Sequence, residues 1–429
     1  MFGAKAFYFL DSLDCARRPA RVSSYSPAMK PAAAERPLDG IRVLEMGQLL
    51  AGPFAGCVLG YFGAEVIKIE PPGGDPIRGW RVVRDGTSLW WSSLARNKKS
   101  VILDLQSPRG RELAKALAAK SDVLIENFRP GTMEKWGMGP AELKALNPEL
   151  IIARVSGYGQ TGPYAAQPGF ASVCEGFAGF RYVNGVPGSA PVRPNISMGD
   201  TLAGLHAVLG ILLALTAKLR AKAPAGQVVD VAIYESVFNM LEGVVPEYDG
   251  AGVVREPSGS TITGIVPTNT YRCADGKYVV IGGNGDSIYQ RLMRAIGRPE
   301  MAEDPRFSTN AKRVENEREI DAAISAWTGA HPSAQVLEAL RAADVPNGPI
   351  NSVADMMADP HFNARGMFET VQVGGKPLKI PAIPPLLGET PGRTDAPGPK
   401  LGEHTDEVLE KVLGLKAEER SALRAAGAI

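Results

Sequence analysis

The chain is poor in the residue types on which several classes of protein depend. Its 429 residues include only 4 cysteines and 4 histidines. The cysteines, Cys15, Cys57, Cys174 and Cys273, stand singly, with no C-x-x-C pair. This spacing favours neither a disulfide framework nor a zinc site, and we predict no metal site.

An excess of charge of one sign is also missing. There are 47 Lys and Arg against 46 Asp and Glu, a formal net charge of +1. A near-neutral protein has no broad field to attract a polyanion, which argues against nucleic acid as a partner. An anionic ligand must therefore be bound by a few local cations. With 45% hydrophobic and 22% charged residues, the chain is typical of folded globular proteins.

The common nucleotide-binding and hydrolase motifs are absent. The chain contains no G-x-x-x-x-G-K-[ST] and no G-x-S-x-G, which excludes a P-loop and removes the main support for a hydrolase. The glycine cluster Gly282–Gly285 is an incomplete dinucleotide fingerprint, because Ile288 stands where the third glycine belongs.

Neither terminus nor interior carries a clear membrane signal. Asp11 and Asp14 interrupt the only apolar patch of residues 1–37, so we predict a disordered extension in a cytoplasmic protein. The alternative is an organelle matrix, if this Arg- and Ser-containing stretch is a transit peptide. The apolar run Thr201–Lys218 approaches the length of a spanning helix but contains His206 and has no flanking aromatic belt. We expect a buried core helix and no membrane association.

What the sequence does contain is an alternation of strand and helix patterns. Its first half has five apolar strand-like segments separated by helical ones: Ile41–Glu45, Glu65–Glu70, Val101–Leu105, Val123–Glu126 and Leu150–Val155. Continuous apolar strands separated by helices indicate a parallel sheet that is covered on both faces. The fold class is therefore α/β, with a doubly wound sheet.

The pattern of predicted secondary structure changes twice after this region. We predict a large domain whose N-terminal part spans 38–235, a smaller α+β domain at 250–350, and a linker with the C-terminal part of the large domain at 351–429. The Pro- and Gly-rich residues 374–400 predict an extended connector. Ligands of doubly wound sheets lie beyond the carboxyl ends of the strands, which here are 46–52, 71–75, 127–131 and 156–162.

Asp200 is the most informative single residue. It lies in Ser197–Thr201, at the start of the longest apolar helix. An aspartate there is often only an N-cap, and this explanation stays open. A carboxylate at a helix N-terminus is also favoured in its ionised form by the helix dipole, and carboxylates can act as covalent nucleophiles.

Several segments together resemble one family, the class III CoA-transferases, also known as the CaiB/BaiF or formyl-CoA transferase family. They are LDGIRVLEMGQLLAGPFAGCVLGYFGAEVIKIE, RNKKSVILDL, ENFRPGTMEKWG, SGYGQTGP, MGDTLAGLHAVLGILLAL and LGEHTDEVLEKVLGL. The resemblance runs from Leu38 to the C-terminus and is nearest to members that use dicarboxylates such as succinate and glutarate.

The resemblance implies a Rossmann-like large domain built from both ends of the chain, a smaller α+β domain and an interlocked homodimer. It implies that CoA moves from an acyl-CoA to a small carboxylic acid, with Asp200 forming a mixed anhydride and then an aspartyl-CoA thioester. CoA would be a cosubstrate, and no cofactor would be bound permanently.

The resemblance also implies the ligand contacts. Gly264 and Ile265 would belong to a loop over the substrate. The cations of the CoA-binding set make chemical sense as phosphate partners. That set comprises Leu50, Ala51, Ala95, Arg96, Asn97, Lys98, Asn127, Phe128, Arg129, Lys135 and Tyr158.

Two alternatives remain. The family also contains α-methylacyl-CoA racemases, which use a histidine that follows a glycine, but here Phe170 follows Gly169. A phenyl ring cannot transfer a proton, and this favours the transferase. The second alternative is a non-catalytic CoA-binding or nucleotide-binding protein.

Overall fold

A computed structural model describes residues 35–429 of the chain. The predicted extension at 1–37 therefore lies almost entirely outside the described residues.

Six strands form a central sheet whose neighbours are all parallel, in the order β5-β2-β1-β6-β7-β8. The remaining strands form small antiparallel sheets. The strands are β1 Arg42–Glu45, β2 Glu65–Glu70, β3 Val83–Arg84, β4 Thr87–Ser88, β5 Lys98–Ile102, β6 Val123–Glu126, β7 Ile151–Ser156, β8 Val228–Ala232, β9 Thr268–Arg272, β10 Tyr278–Gly282, β11 Asn347–Pro349, β12 Phe368–Val373 and β13 Lys376–Pro381.

Helices surround these sheets. They are α1 Ala51–Tyr61, α2 Leu89–Leu94, α3 Pro108–Ala118, α4 Thr132–Lys135, α5 Pro140–Leu146, α6 Ala171–Phe177, α7 Phe180–Val183, α8 Met198–Arg220, α9 Ile233–Phe238, α10 Val244–Ala251, α11 Asp286–Ala295, α12 Pro299–Glu303, α13 Asn310–Glu315, α14 Glu317–Ala330, α15 Ser333–Ala342, α16 Val353–Ala358, α17 Pro360–Ala364, α18 Thr405–Leu413 and α19 Ala417–Ala425.

The strand order confirms the predicted doubly wound parallel sheet. From β1 the chain adds β2 and β5 on one side, and then returns to add β6, β7 and β8 on the other. The reversal falls between β1 and β6, and in such sheets the crevice at this switch point is where ligands bind. The strand predicted at Val101–Leu105 is shifted: β5 starts three residues earlier, at Lys98, which pairs with Val66 of β2. The prediction missed this start because the first three residues of β5 are polar.

The sheet buries apolar side chains on both faces. One face packs on α1 and α8, and the other on α3, α18 and α19. Val408 and Leu409 of α18 belong to the second core, so residues near the C-terminus complete the layer begun near the N-terminus. A separate core is formed only by residues between Val266 and Val345. The exact boundaries of the two predicted domains stay a prediction.

Helix α8 differs from the expectation of a buried core helix. Its small residues pack on α1 and the sheet, but Leu205, Leu209 and Leu213 are 46%, 54% and 61% exposed. By length and composition it is the one helix in residues 35–429 that could cross a membrane, although such helices also occur in the cores of soluble proteins. The difference arises because one face of α8 covers the sheet while the opposite face is equally apolar.

Candidate active site

The crevice at the switch point is shaped by a pair of backbone-like hydrogen bonds. The amide of Asn127, directly after β6, accepts from the Gln48 backbone N–H (2.8 Å) and donates to the Gln48 carbonyl (2.8 Å). Gly47 makes this approach feasible, since a Cβ there would lie 2.6 Å from Asn127 Oδ1. The loops after β1 and β6 are thereby held together at the carboxyl edge of the sheet.

A cavity of about 240 Å³ lies against these loops. Residues from the ends of β1, β6 and β7 and from the start of α8 line it. It brings together six of the predicted site residues: Leu50, Ala51, Asn127, Phe128, Arg129 and Asp200. Because these residues come from distant parts of the sequence, their convergence is a property of the fold.

A second cavity, of about 370 Å³, continues from the first. Gln48, Phe128 and Arg129 line both. Its remaining wall includes Pro71 after β2, with Thr132 and Trp136 around α4. Lys135 is exposed on the same helical turn. Arg129 therefore provides a cation at the junction of two neighbouring cavities.

Asp200 occupies the first turn of α8, not its N-cap. The N-cap is Ser197, and the helix begins at Met198. Burial, followed by the negative charge of Glu175, raises the pKa of Asp200 from 3.8 to about 6, and Arg193 opposes this rise. The expectation that the helix dipole favours the ionised carboxylate is thus outweighed by loss of water and by a neighbouring carboxylate.

Glu175 of α6 is a site residue that sequence analysis missed. Its side chain is fully buried, and its carboxylate accepts a hydrogen bond from the Gly199 N–H (3.2 Å). Arg181 and Arg193 approach the same carboxylate at 3.4 and 3.8 Å. Nothing in the local pattern of α6 distinguishes Glu175 from a surface glutamate, because its environment is supplied by elements that follow it in sequence.

The segment Ala95–Lys98 is placed differently from the expectation. Arg96 is 2% exposed and donates to the Ser93 and Pro381 carbonyls. Asn97 hydrogen-bonds the backbone of residues 393–396. The Lys98 ammonium is buried against Glu45 Oε2 at 2.8 Å.

These side chains hold the C-terminal segment and the sheet together. Their polar groups are already satisfied, so this conformation does not support Arg96 and Lys98 as phosphate partners. Arg96 does line a separate cavity of about 560 Å³, which also includes Ser197 and Thr201 beside Asp200. A contact of CoA with this segment stays a prediction.

The other predicted contacts lie outside the Asp200 cavity. Tyr158 follows a cavity residue, Gly157, and its ring packs with Tyr164, Phe177 and Tyr234. Gly264 has a φ of +81° in a turn whose carbonyl accepts from Asn310. Neither Gly264 nor Ile265 lines the cavity within the described chain, and their role stays a prediction.

Phe170 is the residue that favoured the transferase over the racemase in the sequence. Phe170 lines the same cavity as Asp200. His206 is part of a different cavity, where its Nδ1 lies 2.9 Å from the Leu202 carbonyl oxygen. No histidine of residues 35–429 lines the Asp200 cavity, so a histidine–aspartate acid–base pair is missing there.

Comparison with known proteins adds a family and a set of relatives. A family model described as CoA-transferase family III matches residues 38–405. A succinyl-CoA–D-citramalate CoA-transferase of Chloroflexus aurantiacus is 47% identical over 395 residues, 91% of this chain and 97% of that protein. A human succinyl-CoA:glutarate CoA-transferase is 31% identical, over 92% of this chain and 90% of that protein.

The fold has solved counterparts as well. A crystal structure of a CaiB/BaiF family protein from Brucella suis superposes with a TM-score of 0.78 at 34% identity, covering 88% of this chain and all of the other. The likeness thus extends over nearly all of the described residues.

Proposed function

Because the chain belongs to CoA-transferase family III, we propose that it moves CoA from an acyl-CoA thioester to a free dicarboxylic acid through covalent intermediates on Asp200. The observation that carries this proposal is the position of Asp200 in a cavity at the switch point of the sheet, together with Asn127, Phe128 and Arg129.

The reaction consists of four acyl transfers. An Asp200 carboxylate oxygen attacks the thioester carbonyl, and the C–S bond breaks to give a mixed anhydride and CoA thiolate. The thiolate attacks the Asp200 acyl carbon, which releases the donor acid and leaves an aspartyl-CoA thioester. The acceptor carboxylate repeats these steps in reverse, forming a new anhydride and then the product acyl-CoA. No net proton, water or redox partner is consumed.

The properties of Asp200 suit this chemistry. With a pKa of about 6 the carboxylate is mostly ionised at neutral pH but more basic than an ordinary aspartate, and a more basic oxygen is the better nucleophile. Its partial burial also removes water that would otherwise solvate the attacking oxygen and hydrolyse the anhydride.

The two adjoining cavities support a path for CoA. The thioester end belongs in the smaller cavity at Asp200, and the nucleotide end in the larger one, between Pro71 and α4. Arg129 at their junction, with exposed Lys135 nearby, supplies local cations for the phosphates. Such placed cations are what a protein of net charge +1 needs for a small polyanionic ligand.

The relatives support a dicarboxylate as acceptor. Their names include D-citramalate, L-malate and glutarate, in each case with succinyl-CoA or succinate as the partner. We extend the class of substrate to this chain and leave the individual acids to a direct screen.

The exposed face of α8 supports a homodimer. A row of half-exposed leucines on a long helix is costly to leave in water, at about 25 cal/mol per Å² of apolar surface. Burial of this face against a second copy removes that cost, consistent with the interlocked dimer that the resemblance implies. A cytoplasmic location stays a prediction.

Two alternatives are weaker. A racemase needs a proton donor opposite Asp200, and Phe170 provides none. A non-catalytic CoA-binding protein would not require a desolvated carboxylate in the cavity.

The test is a CoA-exchange assay with succinyl-CoA and a panel of mono- and dicarboxylic acids. We expect exchange with dicarboxylates, and its loss in Asp200→Asn, which keeps the shape of the side chain. Exchange that survives in Asp200→Asn would contradict the role of Asp200. Incorporation of deuterium at the α-carbon without exchange would favour the racemase, and CoA binding without turnover would favour the binding protein.

A further inference from the structure

Glu175 is a carboxylate in an unusual position. Its side chain has no exposed surface, and it lies on α6, one of the elements that surround the start of α8. Burying a carboxylate is expensive unless it is paired and hydrogen-bonded. Here the compensation is partial. Arg181 Nη2 donates only a long hydrogen bond of 3.4 Å to Glu175 Oε2, and Arg193 Nε approaches to 3.8 Å. Arg181 Nε is itself a buried nitrogen without a partner among the described residues.

The contact of Glu175 with α8 is made one residue away from Asp200. Glu175 Oε1 accepts from the Gly199 N–H at 3.2 Å, one of the N–H groups that a helix start leaves without an intrahelical acceptor. Gly199 itself is closely surrounded, because a Cβ there would lie 3.2–3.4 Å from Ile233 and Ala171. The backbone that carries Asp200 is thus held both by packing and by this hydrogen bond.

We propose that Glu175 is a positioning residue for the reaction: it fixes the first turn of α8 through Gly199 and places a negative charge beside Asp200 that makes the Asp200 carboxylate a stronger nucleophile. The positive charge of Arg193 opposes the effect of Glu175 on Asp200 and makes that effect smaller. The inference rests on the proposed role of Asp200 and adds a second carboxylate, which never contacts the substrate.

The other charged groups around Asp200 can be named. Cys174 neighbours Glu175 on α6, and burial raises the pKa of its thiol to about 11, so it stays neutral. Arg181 is on α7 and faces Glu175. Arg193 is on the loop before α8, and Arg129 lines the cavity from the loop after β6. Glu175 is therefore the negatively charged group that raises the pKa of Asp200.

The test compares pH profiles of kcat/KM for CoA exchange in Glu175→Gln, Glu175→Asp and the wild type. Glutamine keeps an oxygen for the Gly199 N–H but removes the charge. We expect its acidic limb to move down by about one pH unit, since removing a like charge lowers a carboxyl pKa, and kcat at pH 8 to fall about threefold as Asp200 becomes less basic. Glu175→Asp retains the charge and should keep the limb near its wild-type position.

Arg193→Met changes the electrostatic environment of Asp200 in the opposite direction, and it does so without replacing a buried residue. Arg193 lies in an exposed loop, and its loss should move the acidic limb upward. Glu65→Gln is the matched control, because Glu65 also has two cationic partners but lies at the other end of the sheet. It should leave the profile unchanged.

The result that would overturn the inference is an acidic limb that stays at one pH in Glu175→Gln and Arg193→Met while kcat falls, which is what a merely structural role predicts. Titration of the Asp200 carboxyl by ¹³C NMR, taken as wild type minus Asp200→Asn, separates this from failure of the proposed function. If Asp200 titrates as expected while Asp200→Asn still exchanges CoA, the proposed catalytic role of Asp200 is wrong. If Asp200→Asn is inactive while the pKa of Asp200 is the same with and without the Glu175 charge, only this inference is wrong.

Discussion

Replacing Asp200 by asparagine is expected to stabilise the protein, and to do so only above the acid range. In the native state the pKa of Asp200 rises from 3.8 to about 6 because the carboxyl is buried near Glu175. Between these values the native state holds a proton that the unfolded chain has lost, so wild-type stability falls as the pH rises through this window. Asparagine cannot ionise and escapes that loss.

The size of the effect follows from the pKa values. A change from 3.8 to about 6 corresponds to roughly 3 kcal/mol at most. Asp200 keeps partial contact with solvent, which screens the charge, so we expect about 1–2 kcal/mol. The difference between Asp200→Asn and wild type should be close to zero at pH 4 and reach its full size at pH 7 and above.

Urea unfolding at several pH values and one protein concentration measures this difference, because the proposed dimerisation would make the apparent stability depend on concentration. Glu338→Gln, at an exposed position of α15, is the control and should show no such pH dependence. An Asp200→Asn variant that is equally or less stable than wild type at pH 8 would refute the statement that the ionised carboxylate is held in an unfavourable environment.

Three further variants test other parts of the structure. Glu45→Gln breaks the fully buried contacts with two lysine ammoniums at 2.8 and 2.9 Å and should cost about 3–5 kcal/mol of unfolding free energy, against about 1 kcal/mol or less for the more exposed Glu65→Gln; equal costs would contradict it. Gly47→Ala places a methyl 2.6 Å from the opposing amide oxygen and should raise KM for succinyl-CoA about tenfold or more, as expected when two hydrogen bonds of about 1 kcal/mol each are strained; an unchanged KM would argue against this crevice as the CoA site. Leu213→Glu on the exposed face of α8 should shift the protein toward monomer in sedimentation, whereas Leu146→Glu, at a similarly exposed leucine of α5, should not; a dimer unaffected by Leu213→Glu would exclude this face as the interface.

Much of the large domain could be predicted from local pattern. Strand β2 was predicted with its observed bounds, Glu65–Glu70, because its apolar residues are all β-branched and typical of a buried strand. The sheet was predictable for the same reason, since apolar strands separated by helices favour a parallel, doubly covered arrangement.

The local sequence pattern could not predict which groups the polar residues bond with. The family resemblance implied that Ala95–Lys98 contacts CoA, with Arg96 and Lys98 as phosphate partners. In the structure Arg96, Asn97 and Lys98 instead bond with Pro381, residues 393–396 and Glu45. Such contacts join segments far apart in sequence. Glu175 was missed for the same reason. The helix dipole was expected to favour the ionised form of Asp200, but burial and the charge of Glu175 outweigh it and raise the pKa.

Covalent trapping tests the central claim most directly. The protein is incubated with succinyl-CoA, treated with hydroxylamine and digested, and the peptide that contains Asp200 is analysed by mass spectrometry, with a sample lacking succinyl-CoA as control. We predict that Asp200 is converted to the hydroxamate only when succinyl-CoA is present, as an anhydride or aspartyl-CoA thioester requires. Unmodified Asp200 in an enzyme that is exchanging CoA would contradict the account.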